Sequence, residues 1–233
     1  MKPDNIFDFS WKDIDTYIIL LSAPLLLTLY RYHGYPGTFN VFADFGLAQD
    51  QAVSVNQFII FFVLMFVLPV LYIKLKMKKN LSDFGFGLGD VKYGTKLLLL
   101  IPFVIAPILY FSAQMPDVQS EYPLAKSLLQ DQSQLWFYEL MYVVFYYIAW
   151  EFFFRGFILF GLKDKYGVFV AILIQTISSC LVHIGKPEGE IIGSIVVGIL
   201  FGMIAIRTKS IWYVFILHAA LGVLTDLFII YGQ

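Results

Sequence analysis

The sequence has few charged residues and a single cysteine. Only 14% of its 233 residues are charged, against roughly 25% in soluble domains, and 16 basic and 17 acidic residues give a net charge of −1. A nearly neutral chain has no basic surface for holding phosphates, which excludes a nucleic-acid-binding protein. The single cysteine, Cys180, excludes an internal disulfide framework and any CxxC metal or redox motif.

Apolar residues make up 59% of the chain and aromatic residues 18%, and the mean hydropathy is +0.75. Soluble domains are on average roughly 45–50% apolar, so neither a soluble domain nor a disordered chain fits this composition. The composition predicts an all-α, polytopic integral membrane protein. We expect one transmembrane helical domain over residues 1–233, because no linker is long enough to separate a second domain.

Seven apolar stretches are long enough to cross a bilayer, whose hydrocarbon core of about 30 Å requires roughly 20 helical residues. They span about residues 16–31, 53–73, 97–113, 135–161, 167–184, 190–206 and 211–230. Acidic residues and no cationic segment precede the first stretch, so we expect a retained span rather than a signal peptide. The segments 32–52 and 114–134 leave room for a further or re-entrant helix.

Basic residues are distributed unequally between alternate loops. With the N-terminus inside, the cytoplasmic segments hold twelve lysines and arginines, whereas the outer segments hold only Arg31, Lys126 and Lys186. Cytoplasmic loops of membrane proteins are enriched in basic residues. We therefore expect the N-terminus in the cytoplasm and the C-terminus outside.

The segment 81–94, LSDFGFGLGDVKYG, is rich in glycine and superficially similar to a phosphate-binding loop. It lacks both the GK[ST] ending and the βαβ context that such a loop requires. We therefore expect a helix or turn at the membrane surface and no nucleotide site.

Six ionisable residues fall within the apolar stretches, where charged groups cost several kcal/mol and usually mark functional sites. They are Glu139, Glu151, Arg155, His183, His218 and Asp226. The outermost two, Glu139 and Asp226, are expected at the membrane interface, with orienting a histidine or binding a cation as the alternatives for Asp226. Glu151 and Arg155 are four residues apart and share a helix face, where they form either a purely structural ion pair or a pair in which Arg155 holds Glu151 toward a polar cavity.

Two other stretches carry histidines with polar or small neighbours at a spacing of four residues. Gln175, Ser179 and His183 form a polar stripe that indicates a wet cavity, with an interfacial histidine as the alternative. His218 is followed by Gly222, which leaves room for a substrate or another helix. At 1.5 Å per residue, His183 lies about 25 Å from the inner end of its stretch and His218 about 10 Å from its own, so the helices must be offset for the two to meet.

Glu151, His183 and His218 supply the acid–base groups that peptide hydrolysis requires. A glutamate and a histidine can activate water as a general base, while a second histidine stabilises the oxyanion. The same three residues could ligate zinc, but no HExxH motif is present, and we predict neither a metal nor a cofactor. Cys180 is a weaker candidate nucleophile, because an isolated thiol among apolar residues is usually inert.

The order of these residues resembles that of the CAAX-protease and bacteriocin-processing family of intramembrane proteins, also called the CPBP or Abi family. Its members carry EExxxR on one helix, FxxxH on the next and HxxxN or a similar motif on a later one. Glu151 with Arg155, then His183, then His218 keep this order, and the resemblance covers residues 135–230. It implies an intramembrane endopeptidase of the bacterial cytoplasmic membrane that acts on a lipidated or membrane-embedded peptide. The oligomeric state stays open.

Three positions depart from the family motifs. Trp150 stands where the family has the first glutamate, its general base; Ser179 replaces the phenylalanine, and Gly222 replaces the asparagine that assists the oxyanion histidine. By motif position, His183 corresponds to the water-activating histidine and His218 to the oxyanion histidine. A shift of one residue along a helix rotates a side chain by about 100°, so the next glutamate does not simply replace the missing one.

Three functions are therefore open. In an active endopeptidase, Glu151 or another acid such as Asp226 is the base, His183 is its partner on the water, and Arg155 orients Glu151. In an inactive relative, a bacteriocin self-immunity factor or a membrane scaffold, Trp150 fills the water site. The third is a small transporter that uses these groups as a proton relay. The sequence shows no inverted repeat of the kind common in secondary transporters, which argues against this function.

Overall fold

The computed structural model describes residues 9–34 and 46–232. Over these residues the chain is helical and contains no strand, which confirms the predicted all-α class. Eight helices are present in this part of the chain: α1 Trp11–Gly34, α2 Gln49–Met77, α3 Val91–Ser112, α4 Pro116–Glu121, α5 Leu135–Tyr166, α6 Val168–Val182, α7 Glu188–Thr208 and α8 Trp212–Tyr231. Short 3₁₀ turns cover Leu81–Phe84 and Lys126–Leu129.

Six of the described helices, α1, α2, α3, α5, α7 and α8, are long and apolar enough to cross a membrane, which confirms the polytopic helical bundle. The helix expected over 167–184 is present as α6, but it has only 15 residues. Its length of about 22 Å is shorter than a bilayer core of about 30 Å. Over the described residues the bundle therefore has six long helices and the shorter α6 instead of seven full spans. The segment 114–134 contains the short helix α4 and a turn.

Helix α5 is the centre of the bundle. In its most apolar 18-residue window 72% of the residues are buried, against 6% for α3, which lies at the periphery. Helix α5 packs against α2 and α6, while α6 packs against α7 and α8 against α3. Wider, π-type turns occupy Tyr142–Tyr147 and Phe152–Phe160, on either side of Trp150 and Glu151. Turns of this kind are frequent at functional sites.

Polar contacts tie several helix ends together at one end of the bundle. Nζ of Lys165, in the last turn of α5, lies 2.6 Å from a carboxylate oxygen of Asp13 in α1. The hydroxyl of Tyr72, near the end of α2, donates a 2.6 Å hydrogen bond to Asp15. The basic segments that end α2 and α5 therefore lie beside the start of α1, as the alternation of loops predicts. That this end faces the cytoplasm stays a prediction.

The glycine-rich segment 81–94 packs onto the turn between α7 and α8. The hydroxyl of Tyr213 donates a 2.7 Å hydrogen bond to the carbonyl oxygen of Leu88. Gly89 has a φ of +57°, and a Cβ added to it would lie 1.9 Å from the carbonyl oxygen of Thr208. Glycine is the residue that fits this conformation and this close approach. The segment has a structural role that accounts for its glycines.

The short α6 creates the offset that the two histidines require. Helix α6 begins two residues after α5 ends and runs back along it, so its end lies beside the middle of α5. His183, which follows the last residue of α6, therefore packs against Trp150, and His218 from α8 contacts the same indole. Both histidines reach Trp150 in the middle of the bundle because α6 ends there.

Candidate active site

A small cavity of about 90 Å³ lies beside the end of α6. Tyrosine, phenylalanine and tryptophan make up half of its described lining residues. Apart from tyrosines, its ionisable lining residues in the described chain are His183, Lys186, Glu190 and His218. Two of the predicted site residues, the histidines, thus line one cavity.

A wider cavity of about 830 Å³ adjoins the small one. Its wall includes Asp50, Glu121 and Lys126, and it shares Gln57 and Leu124 with the small cavity. Pockets that bind ligands typically measure about 300–1,000 Å³. The wider cavity is therefore large enough to hold a peptide segment, and it leads toward the histidines.

Glu151 and Arg155 form the ion pair that their spacing predicts. Nη1 of Arg155 lies 3.2 Å from Oε1 of Glu151, and the two side chains are 2% and 0% exposed. The guanidinium carbon lies 5.7 Å from the centre of the Phe201 ring, which is a cation–π distance. The pair neutralises two charges inside the bundle. Neither residue is among the described residues that line the two cavities.

Glu151 also contacts His218, which α8 brings to the middle of α5. Nδ1 of His218 lies 2.6 Å from Oε1 of Glu151, the oxygen that faces Arg155. A carboxylate oxygen accepts a hydrogen bond, so the proton of this bond is on Nδ1. The contact fixes the ring and leaves Nε2 as the nitrogen that can act on another molecule.

His183 is held by the main chain of its own helix. Nδ1 of His183 lies 3.0 Å from the carbonyl oxygen of Ser179, and because a carbonyl only accepts, Nδ1 is the donor. In the neutral ring Nε2 then carries a lone pair, and it lies 3.9 Å from Oε1 of Glu190. Ser179 thus contributes its carbonyl group, while its hydroxyl donates to the carbonyl oxygen of Thr176.

The polar stripe on α6 has mainly a packing role. Gln175 is fully buried, and its Nε2 donates a 2.8 Å hydrogen bond to the carbonyl oxygen of Gly198 on α7. This bond ties the two helices together. Of the stripe residues Gln175, Ser179 and His183, only His183 lines the small cavity. The predicted wet face is therefore limited to the end of the helix.

Trp150 lies between the two histidines. The centre of its ring system is 5.3 Å from that of His183 and 5.6 Å from that of His218, with nearly perpendicular ring planes in both pairs. The indole is 2% exposed and lines the small cavity. Within the described chain no hydrogen bond or ion pair joins Glu151 to His183, the two residues predicted to share a water.

Gly222 packs directly against Tyr147, a residue that the sequence analysis missed. A Cβ added to Gly222 would lie 1.8 Å from the hydroxyl oxygen of Tyr147. The Tyr147 ring is also 4.9 Å from the ring of His218. The tyrosine hydroxyl therefore occupies the space that a side chain at 222 would need. Only the packing of α5 against α8 shows this relationship.

Glu190, in the first turn of α7, is a second site residue that the sequence analysis missed. Its Oε1 accepts a 2.7 Å hydrogen bond from the hydroxyl of Tyr122. Burial and the negative charge of Glu190 raise the pKa of Tyr122 well above its ordinary value, so the hydroxyl stays a donor. Lys186 pairs with Glu121, and its Nζ lies 4.7 Å from the centre of the Tyr122 ring. The sequence does contain a signal for Glu190, the acidic segment KPEGE shortly after His183. A surface loop has the same composition, so this signal does not identify a site residue.

Glu139 and Asp226 are buried inside the bundle, at 3% and 0% exposure. The sequence analysis expects both at the membrane interface, and in the structure neither is exposed on the surface of the bundle. Because α5 packs beside α8, the two carboxyl groups are close enough to influence each other electrostatically, but none of their oxygens has a hydrogen-bond partner among the described residues. Neither lines the small cavity. Asp226 is therefore not placed to act as a base on a water beside His183.

Residues 132–224 match the family model described as Type II CAAX prenyl endopeptidase Rce1-like. The matched segment contains Glu151, Arg155, His183, Glu190 and His218. The predicted relationship to the CAAX proteases is confirmed over this segment. Neither the comparison with curated proteins nor that with solved structures returned a significant match.

Proposed function

We propose that this chain, whose residues 132–224 match the Rce1-like family of CAAX prenyl endopeptidases, is an intramembrane endopeptidase. The observation that best supports the proposal is that His183 and His218 line one cavity from different helices. Each ring has its Nδ1 proton directed to an acceptor, so each Nε2 is available to a reacting group. Two imidazoles in this arrangement suit hydrolysis of a peptide bond by water.

The two histidines have different roles in this proposal. His183 holds the water, because its Nε2 accepts a hydrogen bond when Nδ1 carries the proton. His218 acts on the peptide carbonyl: with a proton on Nε2 it donates to the oxygen on which negative charge develops. Removal of one such donor typically slows an acyl-transfer reaction by about 10²–10³.

Glu151 is a positioning residue in this mechanism. Its side chain is fully buried, Arg155 neutralises it, and its Oε1 already accepts the Nδ1 proton of His218. It therefore orients the His218 ring instead of activating a water. Its negative charge also complements a doubly protonated His218 ring, the form that donates from Nε2.

We propose a lipidated or membrane-embedded peptide as the substrate. The small cavity of about 90 Å³ has room only for the groups around the scissile bond, while the adjoining cavity of about 830 Å³ can hold a peptide segment. The apolar part of such a substrate stays in the bilayer beside the helices. We propose a bacterial cytoplasmic membrane as the protein's location, which the resemblance to bacteriocin-processing proteins supports.

Purified full-length protein in lipid nanodiscs tests the proposal. The probes are a farnesylated peptide ending in a CAAX sequence and an apolar bacteriocin leader peptide, with products identified by mass spectrometry. We expect His183→Ala and His218→Ala each to lower kcat at least about 100-fold, because an acid–base group contributes roughly 10²–10⁴. His33→Ala, which changes the one histidine that is not assigned to the site, is the matched control and should keep the parent rate. Parent-like cleavage by either site variant would contradict the mechanism.

A second candidate function is that of a catalytically inactive relative, a bacteriocin self-immunity factor or a membrane scaffold. The position of Trp150 between the two histidines favours it, because the indole fills space beside the water site. This function predicts that the parent cleaves neither probe and that His183→Ala still protects cells or binds peptide. Cleavage that appears only in Trp150→Glu would support it.

A further inference from the structure

The small cavity contains a carboxylate that is not part of the Glu151–Arg155 pair. Among the described residues that line this cavity, Glu190 is the only acidic one. Its side chain is 26% exposed, whereas that of Glu151 is 0% exposed. A general base must be reached by the water that it deprotonates. Glu190 meets this condition and Glu151 does not.

The distance between Glu190 and His183 is suited to a bound water. Nε2 of His183 lies 3.9 Å from Oε1 of Glu190. The Nδ1 proton of His183 is directed to the carbonyl oxygen of Ser179, so in the neutral ring Nε2 is an acceptor, as the carboxylate is. Two acceptors do not bond to each other, but one water has two O–H groups and can donate to both.

We propose that Glu190 is the general base of the hydrolysis and holds the attacking water together with His183, an inference that rests on the proposed endopeptidase function. As the water oxygen bonds to the peptide carbonyl carbon, one water proton passes to Glu190. The carbonyl π electrons move to the carbonyl oxygen, which His218 stabilises. The double bond then re-forms, the C–N bond breaks, and the proton on Glu190 passes to the leaving amine. The second water proton stays on the new carboxyl group.

The contacts of Glu190 fix its carboxylate beside His183. Glu190 lies in the first turn of the 21-residue helix α7, where the helix dipole favours a negative charge. Tyr122 donates a 2.7 Å hydrogen bond to Oε1. Lys186, which pairs with Glu121, adds a positive charge over the Tyr122 ring. These groups support an ionised carboxylate at a position that water can reach.

The early end of α6 explains how a residue so near the start of a helix reaches the site. Helix α6 ends at Val182, beside the middle of α5, and residues 183–187 reverse the chain direction. The first turn of α7 therefore lies next to His183. If α6 crossed the whole bilayer, Glu190 would lie near the membrane surface.

Variants of the two glutamates at the start of α7 test this role in the peptide assay. Glu190→Gln should lower kcat at least about 100-fold with little change in KM, because an amide cannot take the water proton. Glu188→Gln, two residues earlier and exposed, is the matched control and should keep the parent rate. Glu190→Asp keeps a carboxylate and should retain part of the activity. Formate should restore cleavage to Glu190→Ala by supplying a carboxylate in solution.

The outcomes separate this inference from the proposed function. Parent-like cleavage by Glu190→Gln, with His183→Ala inactive, would overturn the role of Glu190 and leave the endopeptidase intact. A second pattern would also overturn the role of Glu190: Glu190→Gln is inactive, Glu190→Asp is equally inactive, and formate does not restore cleavage to Glu190→Ala. That pattern indicates a structural role for Glu190. If the parent cleaves neither probe, the endopeptidase function itself is rejected, and this inference with it.

Discussion

Glu151 is bonded to His218 and not to His183: Nδ1 of His218 lies 2.6 Å from Oε1 of Glu151. The same oxygen lies 3.2 Å from Nη1 of Arg155, so a charged network runs from α5 to α8 inside the bundle. In the proposed mechanism, this contact makes Glu151 the partner of His218, the histidine that stabilises the oxyanion. The proposed water-activating groups are then His183 and Glu190.

Replacing Glu151 by glutamine should destabilise the protein by about 3–5 kcal/mol, because it leaves the Arg155 charge buried without its partner. Unfolding in mixed detergent and dodecyl sulfate micelles measures the effect. The double variant Glu151→Gln/Arg155→Met removes both charges and should recover most of the loss. A single variant as stable as the parent would show that another group neutralises Arg155.

Gly222→Ala should destabilise the protein by about 1–3 kcal/mol, because the added methyl group overlaps the Tyr147 hydroxyl in a packed region. Gly193→Ala in α7 is the matched control, since an added Cβ there has no neighbour within 4 Å. Alanine is favoured over glycine in a helix by about 1 kcal/mol, so the control should be neutral or stabilising. Thermal unfolding in detergent compares the two, and equal shifts in Tm would contradict the close packing.

The free energy of unfolding should decrease at alkaline pH because of the ionisation of the Tyr122 hydroxyl. Burial and the charge of Glu190 raise the pKa of Tyr122 above its ordinary value of about 10. The unfolded chain therefore loses this proton first, so the stabilisation is complete below about pH 10 and is lost as the pH rises through the folded pKa. We expect the Tm advantage of the parent over Tyr122→Phe to be constant up to about pH 9 and to shrink above about pH 10. An advantage that is unchanged at about pH 11 would contradict this contact.

The predicted orientation is testable with single cysteines in a Cys180→Ser background. Asp131→Cys and Lys209→Cys introduce thiols at exposed positions on opposite ends of the bundle. In right-side-out vesicles a membrane-impermeant maleimide should label Asp131→Cys directly and Lys209→Cys only after lysis, because basic segments stay in the cytoplasm. The reverse labelling pattern would place the N-terminus outside.

Patterns local to the sequence were sufficient to predict much of the protein. The apolar composition predicted the helical membrane bundle, because backbone groups in a bilayer must be satisfied within the helix itself. The spacing of Glu151 and Arg155 predicted their ion pair, because residues four apart share one face of a helix. The order of Glu151, Arg155, His183 and His218 predicted the family relationship.

Which of these groups contact one another depends on how the helices pack. The length of α6 depends on where the chain turns and packs, and its early end brought Glu190 to His183. The partner of Glu151 depends on the rotation and depth of α8 relative to α5. Residue spacing within one helix does not specify either quantity. Patterns along the chain are enough to specify the membrane bundle and its polar residues. The partners of those residues follow from the packing of separate helices, because contacts between helices depend on their offset and rotation.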